Sequence, residues 1–225
     1  MRLVADLVLT EAGWASGRAV TLDGGRIGAI EPIHREAPGD IRLARRALVP
    51  GTINAHCHTF QSLLRGLGDD LDFAGWRDRV LYPFSERLDR QGIALGAAFA
   101  FAEMLQSGVS TCVDFFYLQD EDNANAEAVI DAARTIGIRL VLARGMYDWD
   151  GAPKRYRETV ADAARGAPER RDDAGAAGTA QPARIIAAEA PWGLWGAGWT
   201  THVSSSRCTA MSSRTRRAAS GGVSR

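Results

Sequence analysis

Charge of one sign is what this sequence lacks first. Its 27 basic residues, of which only Lys154 is a lysine, are matched by 27 acidic ones, so the formal net charge is zero. That balance gives no sign of a polyanionic partner such as nucleic acid or of an acidic membrane surface. Long apolar runs are absent too, none approaching the ~20 residues a bilayer-spanning helix needs. The N-terminal MRLVADLVLTEAGWASG has no basic start, long apolar core or small-residue cleavage site of a secretory signal, which makes the cytoplasm the expected compartment. Cysteine is scarce: Cys57, Cys112 and Cys208 are odd in number and far apart, a pattern that suits a reducing compartment rather than a disulfide framework.

What is present is a succession of short apolar runs. Leu3–Leu9, Ala19–Leu22, Arg26–Ile30 and Ile41–Val49 read as strands, with Asp23-Gly24-Gly25 as a hairpin turn, and together they predict a small β-domain over residues 1–50. From Thr52 the pattern changes to alternating strand and helix. A strand over Ile53–His58 is followed by helical material from Phe60 to Leu88, broken near Pro83. A helix over Gly92–Gln106 shows Ala94, Ala98, Phe101 and Leu105 on one face, with Gly108 just past its end. The β-branched and aromatic run Ser110–Tyr117 predicts a buried strand, Asn123–Ile136 a helix stopped by Gly137, and Ile138–Ala143 a third strand. Strand–helix–strand alternation of this kind implies parallel pairing through helical crossovers, and its closed form is a (β/α) barrel.

The residues with the clearest chemistry are His56 and His58. Side chains at i and i+2 of a strand share a face, so both imidazoles can reach one metal ion, and they end the first parallel strand, where such barrels place their chemistry. Cys57 between them is turned to the opposite face and reads as a packed small residue. A catalytic zinc usually has about three protein ligands, so two histidines leave the site to be completed elsewhere.

An eight-unit barrel takes about 250 residues, whereas some 175 follow Pro50. From Ala161 to Arg225 only five of 65 residues are Ile, Leu, Val or Phe, too little branched apolar surface for several more units. This stretch is rich in Ala, Arg, Gly and Ser, crowds Trp192, Trp195 and Trp199 together, and ends in SSRTRRAASGGVSR. It reads as a disordered tail, an altered domain, or sequence out of frame beyond about Glu158–Asp162.

PGTINAHCHTFQSLLRGLGDD, AFAEMLQSGVSTCVDFFY and AEAVIDAARTIGIRLVLARGMYDW together resemble the amidohydrolase superfamily, in particular its deaminase and chlorohydrolase branch, and DGGRIGAI and RRALVPG resemble the small β-domain that precedes its barrel. The likeness covers about residues 2–160. It implies an α/β fold, an incomplete (β/α)8 TIM-like barrel (51–160) preceded by a small β-sandwich-type domain (1–50), and leaves 161–225 as the tail that composition sets apart. It implies one divalent metal, zinc before iron or manganese, bound by His56 and His58. His202, in THVSSSR, resembles a later ligand segment and is the third candidate. The implied reaction is hydrolytic deamination of an amidine-like or aminopurine-type small molecule by metal-activated water, with chlorohydrolysis as the nearest variant and a catalytically inert truncated fragment as the alternative.

The chain departs from that pattern at the acid/base glutamate, which falls on Ser205, and no aspartate follows Asp173. No general acid or base is therefore assigned. A half-barrel completed by a second subunit, or another homo-oligomer, is compatible with the sequence, which does not set the subunit number. Among the remaining polar residues, His34, Asp69, Asp70 and Glu86 read as solvated side chains, and Asp114 as a residue that bonds to loop amides or caps a helix. Phe115, Phe116 and Tyr117 read as core, with barrel geometry turning one of them to the pocket. Trp149 is a candidate pocket wall.

Overall fold

Turn glycines and apolar alternation divide the strands between two sheets. The computed structural model describes residues 1–24, 26–120, 123–147 and 150–166, together with the backbone of 184–189. In the first sheet β1 (Arg2–Thr10), β2 (Gly13–Asp23), β3 (Arg26–Pro32) and β4 (Ile41–Leu48) lie in the order β3-β2-β1-β4. β1 and β2 join through Gly13, whose φ of 105° is one that a side-chain-bearing residue rarely adopts. β4 runs parallel to β1, a pairing that the hairpin signals do not foretell. Where its register shifts, Arg45 takes a left-handed φ of 58° and donates its N–H to Asp6 Oδ2 at 2.7 Å. Ala5, Val8 and Val20 form the small core of this sheet, with Leu22, Leu43 and Leu48 against it.

The second sheet is wholly parallel. β5 (Thr52–Cys57), β6 (Val109–Phe116), β7 (Arg139–Met146) and β8 (Arg184–Glu189) lie in sequence order. β8 falls inside the stretch 161–225 that composition sets apart, and its residues RIIAAE hold two of the few branched apolar side chains there. After a 3-10 turn at Thr59–Leu64 come α1 (Phe73–Trp76), a π-helical segment Arg77–Leu81 and α2 (Tyr82–Ser85). The Tyr82 N–H reaches back to the Arg77 oxygen, so the expected break near Pro83 is a wide helical turn placed before a residue that has no N–H to give.

α3 (Arg90–Gln106) and α4 (Ala124–Ile136) are the crossovers between β5, β6 and β7. Asp89 starts α3 by accepting the Gly92 N–H at 2.7 Å. Its buried face runs through Ile93, Ala97, Ala100 and Phe101, one residue round from the face that periodicity suggested, and Leu95, Phe99 and Leu105 stay exposed. Gly96 allows α3 to approach the 3-10 turn, since a Cβ there would sit 3.2 Å from Phe60 Cα. Gly137 ends α4 at a φ of 88°. A short helix α5 (Val160–Gly166) follows. Among the described residues no helix is long and apolar enough to cross a membrane.

Alternation along the parallel strands sorts their side chains. Cys112, Asp114 and Phe116 of β6, and in register with them Leu140, Leu142 and Arg144 of β7, are buried. Arg144 is accommodated because Glu158 accepts from both of its terminal nitrogens and Asn123 Oδ1 accepts its Nε–H at 3.0 Å.

Candidate metal centre

β5 delivers its two histidines at its C-terminal end, His56 within the strand and His58 one residue beyond it. Their Nε2 atoms stand 3.3 Å apart. Two nitrogens at zinc–imidazole bond length and a tetrahedral angle are separated by about 3.3–3.4 Å, so the pair has the span of two ligands of one ion. His58 Nδ1 lies 2.7 Å from the main-chain oxygen of Phe115 on β6. A carbonyl only accepts, so Nδ1 carries the proton and a neutral His58 presents a bare lone pair at Nε2. Burial pulls the His58 pKa down to about 4, with the Phe115 oxygen opposing that shift and His56 adding to it. At neutral pH the ring is therefore the unprotonated ligand form.

His56 is exposed and held differently. Its main-chain N–H donates to Asn54 Oδ1 at 3.2 Å, while its ring stacks on the Phe115 ring with centroids 4.6 Å apart and an interplanar angle of 25°. The Tyr117 ring meets His58 edge-on at 5.2 Å. Cys57 points away from this pair and packs against the main core, as strand alternation requires. It shares a hydrogen bond with Cys112, and that bond, followed by burial, holds the Cys112 thiol far above its usual range.

Asp114 is fully buried, and its two oxygens accept the Thr59 N–H at 3.0 Å and the Thr59 hydroxyl at 2.5 Å. It thus bonds to the loop after β5 and fastens the residue that follows His58. Burial lifts its pKa to about 6 against the pull of the two Thr59 bonds.

A family profile described as the amidohydrolase family matches residues 47–190. The chain belongs to the amidohydrolase family. A 5-methylthioadenosine/S-adenosylhomocysteine deaminase from Pyrococcus horikoshii is 30% identical to this amidohydrolase over 158 residues, 69% of this chain and 36% of that protein. The chain thus spans about a third of that relative's length. An adenosine deaminase from Xanthomonas campestris, solved with bound zinc, superposes with a TM-score of 0.64 at 24% identity over 84% of this chain and 42% of that one. Atrazine chlorohydrolase from Arthrobacter aurescens TC1, solved with zinc, superposes with a TM-score of 0.66 at 19% identity over 84% of this chain and 46% of that one. These likenesses show the barrel-type fold.

The remaining sequence candidates in this amidohydrolase divide by place. His34, Asp69, Asp70 and Glu86 are exposed. Phe116 and Tyr117 are buried, whereas Phe115 is half-buried; Phe115 stacks on His56 and Tyr117 meets His58, so two of the three aromatics reach the histidines. His202, Ser205, Cys208, Trp149 and the tryptophans Trp192, Trp195 and Trp199 lie outside the described residues. Among the described residues no three His, Cys, Asp or Glu side chains gather as a ligand set. Sequence reading passed over Thr59 and Gln61, the latter donating to the Tyr117 hydroxyl at 2.5 Å. A signal for Thr59 existed, because a carboxylate on the buried face of β6 needs donors from the adjacent loop.

Proposed function

We propose that this amidohydrolase is a cytoplasmic enzyme that releases ammonia hydrolytically from a small amidine-like or aminopurine-type molecule, and that the described residues carry two ligands of its metal centre. The observation that carries the reading is the pair of imidazole Nε2 atoms 3.3 Å apart at the end of the first parallel strand. The Pyrococcus relative, named as a deaminase of 5-methylthioadenosine and S-adenosylhomocysteine, supports ammonia as the leaving group and a purine as the ring. The likeness to atrazine chlorohydrolase is one of fold and does not favour chloride over ammonia.

His56 and His58 would hold one divalent ion, with zinc the first choice, since imidazole donors also suit iron and manganese. His202 is the third ligand this reading assigns. When bound, such an ion acidifies water and supplies a nucleophile at neutral pH. His58 offers its Nε2 lone pair because its other nitrogen is committed to Phe115 and because burial keeps the ring neutral. Phe115 and Tyr117 set aromatic surface against the two imidazoles. In the same reading residues 1–50 are a β-sandwich-type domain, 51–160 the N-terminal part of an incomplete barrel, and 161–225 an atypical stretch.

Metal content per chain, measured on the purified soluble protein and on its His56→Ala, His58→Ala double variant, tests this. Near-stoichiometric metal that the double variant loses is the expected result, and ammonia release from aminopurines and formimino compounds is then the assay of choice. Absence of metal from both proteins would overturn the proposal in favour of a catalytically inert fragment of the family.

A further inference from the structure

We infer that Phe115 is the positioning residue for both histidines of the metal pair, holding His58 through its main-chain oxygen and His56 through its ring. This rests on the metal-centre reading above. The two histidines leave the same strand under different restraints. His58 is anchored by the bond from Nδ1 to the Phe115 oxygen at 2.7 Å. Among the described residues the His56 ring has one polar neighbour, His58 Nε2, and is otherwise exposed. An exposed imidazole with no anchor at Nδ1 rotates about χ2, which would swing its Nε2 away from its partner. The flat stack on Phe115, 4.6 Å between centroids and 25° between planes, restricts that rotation.

Strand alternation makes the assignment specific to this position. Phe116 is buried on the opposite face of β6, and Tyr117 touches His58 by its edge. Phe115 thus occupies, for His56, the role that an outer-shell hydrogen-bond partner plays for most metal-binding histidines. Its two functions can be separated, since replacing the side chain leaves the main-chain oxygen that anchors His58 in place and removes the stack on His56 together with a more distant edge contact to the His58 ring at 6.3 Å.

The test is the zinc dissociation constant of the full chain, read by competition with a chromophoric chelator, for the wild type, Phe115→Leu, Phe115→Tyr, His56→Ala and the His56→Ala, Phe115→Leu double variant. Phe115→Leu should weaken zinc binding on the order of tenfold, Phe115→Tyr should bind as the wild type does, and Phe115→Leu should cause no further loss once His56 is alanine. Phe115→Met, which keeps the apolar volume without a ring, is read in place of the leucine variant if the latter loses its cooperative melt. Wild-type affinity in the ringless variants while His56→Ala binds weakly would overturn the inference, as would an equal loss with and without His56. If His56→Ala itself leaves zinc binding unchanged, it is the metal-centre reading that fails.

Discussion

The two sheets of this amidohydrolase solve the same problem, placing charge beside a strand, in opposite ways. In the β1–β4 sheet Arg42 pairs with Asp6 in the open, with 44% and 41% of their side chains exposed. Around the β5–β8 sheet Arg144 pairs with Glu158 at 2% and 7%. The first sheet keeps a small apolar cluster and leaves Trp14, Ile27 and Ile41 exposed, whereas β6 and β7 of the second, unlike its exposed strand β5, bury even the polar residues Asp114 and Arg144. Parallel sheets with helical crossovers are buried on the helix side by construction, so a polar residue there must find its partner within the fold. Water can serve the charges of the first sheet but not the buried polar positions of β6 and β7.

Removal of one partner should expose that difference most strongly at the buried pair. Glu158→Ala leaves a guanidinium buried without its carboxylate and is expected to cost about 3–5 kcal/mol in urea unfolding, against at most about 1 kcal/mol for Arg42→Ala. Equal losses would erase the distinction between the sheets.

A smaller effect is expected at Asp114. Asp114→Ala strands the Thr59 N–H and should cost about 1–3 kcal/mol. Asp114→Asn sharpens the point through pH. The folded pKa of about 6 lies above the ordinary 3.8, so the carboxyl contributes stability that is full below pH 3.8 and is lost as pH rises through 6. The asparagine variant lacks that loss, and its stability relative to wild type should rise between pH 4 and 7 by on the order of 3 kcal/mol. A pH-independent difference would show that the Asp114 carboxylate is not penalised by its surroundings. A modest effect belongs to the first sheet's core, where Val8→Ala removes two buried carbons and should cost about 1–2 kcal/mol, read from the same unfolding curves.

Much of the second sheet was legible in advance. The limits of β5, β6 and α4 fall within a residue of those read from apolar runs and their glycine stops, because the signals are local: β-branched residues, a terminal glycine and a Pro-Gly entry. The face of α3 was not legible. Leu95 and Phe99 are as apolar as Ile93 and Phe101, so periodicity has no preferred side, and contact with the 3-10 turn through Gly96 decides it. The parallel pairing of β4 with β1 escaped for a similar reason, since no short-range turn encodes it. The dual role of Phe115 was hidden because half of it belongs to a main-chain oxygen, which carries no residue signature.

At the two histidines the division between local and distant causes is sharp. That His56 and His58 share a face, with Cys57 turned from them, follows from strand periodicity alone and needs no other part of the chain. That their Nε2 atoms converge to 3.3 Å, and that His58 keeps its proton on Nδ1, depends on Phe115, 57 residues further along the chain from His58. An imidazole's direction is set by what it touches, and β6 touches these two only once α3 has carried the chain back alongside β5.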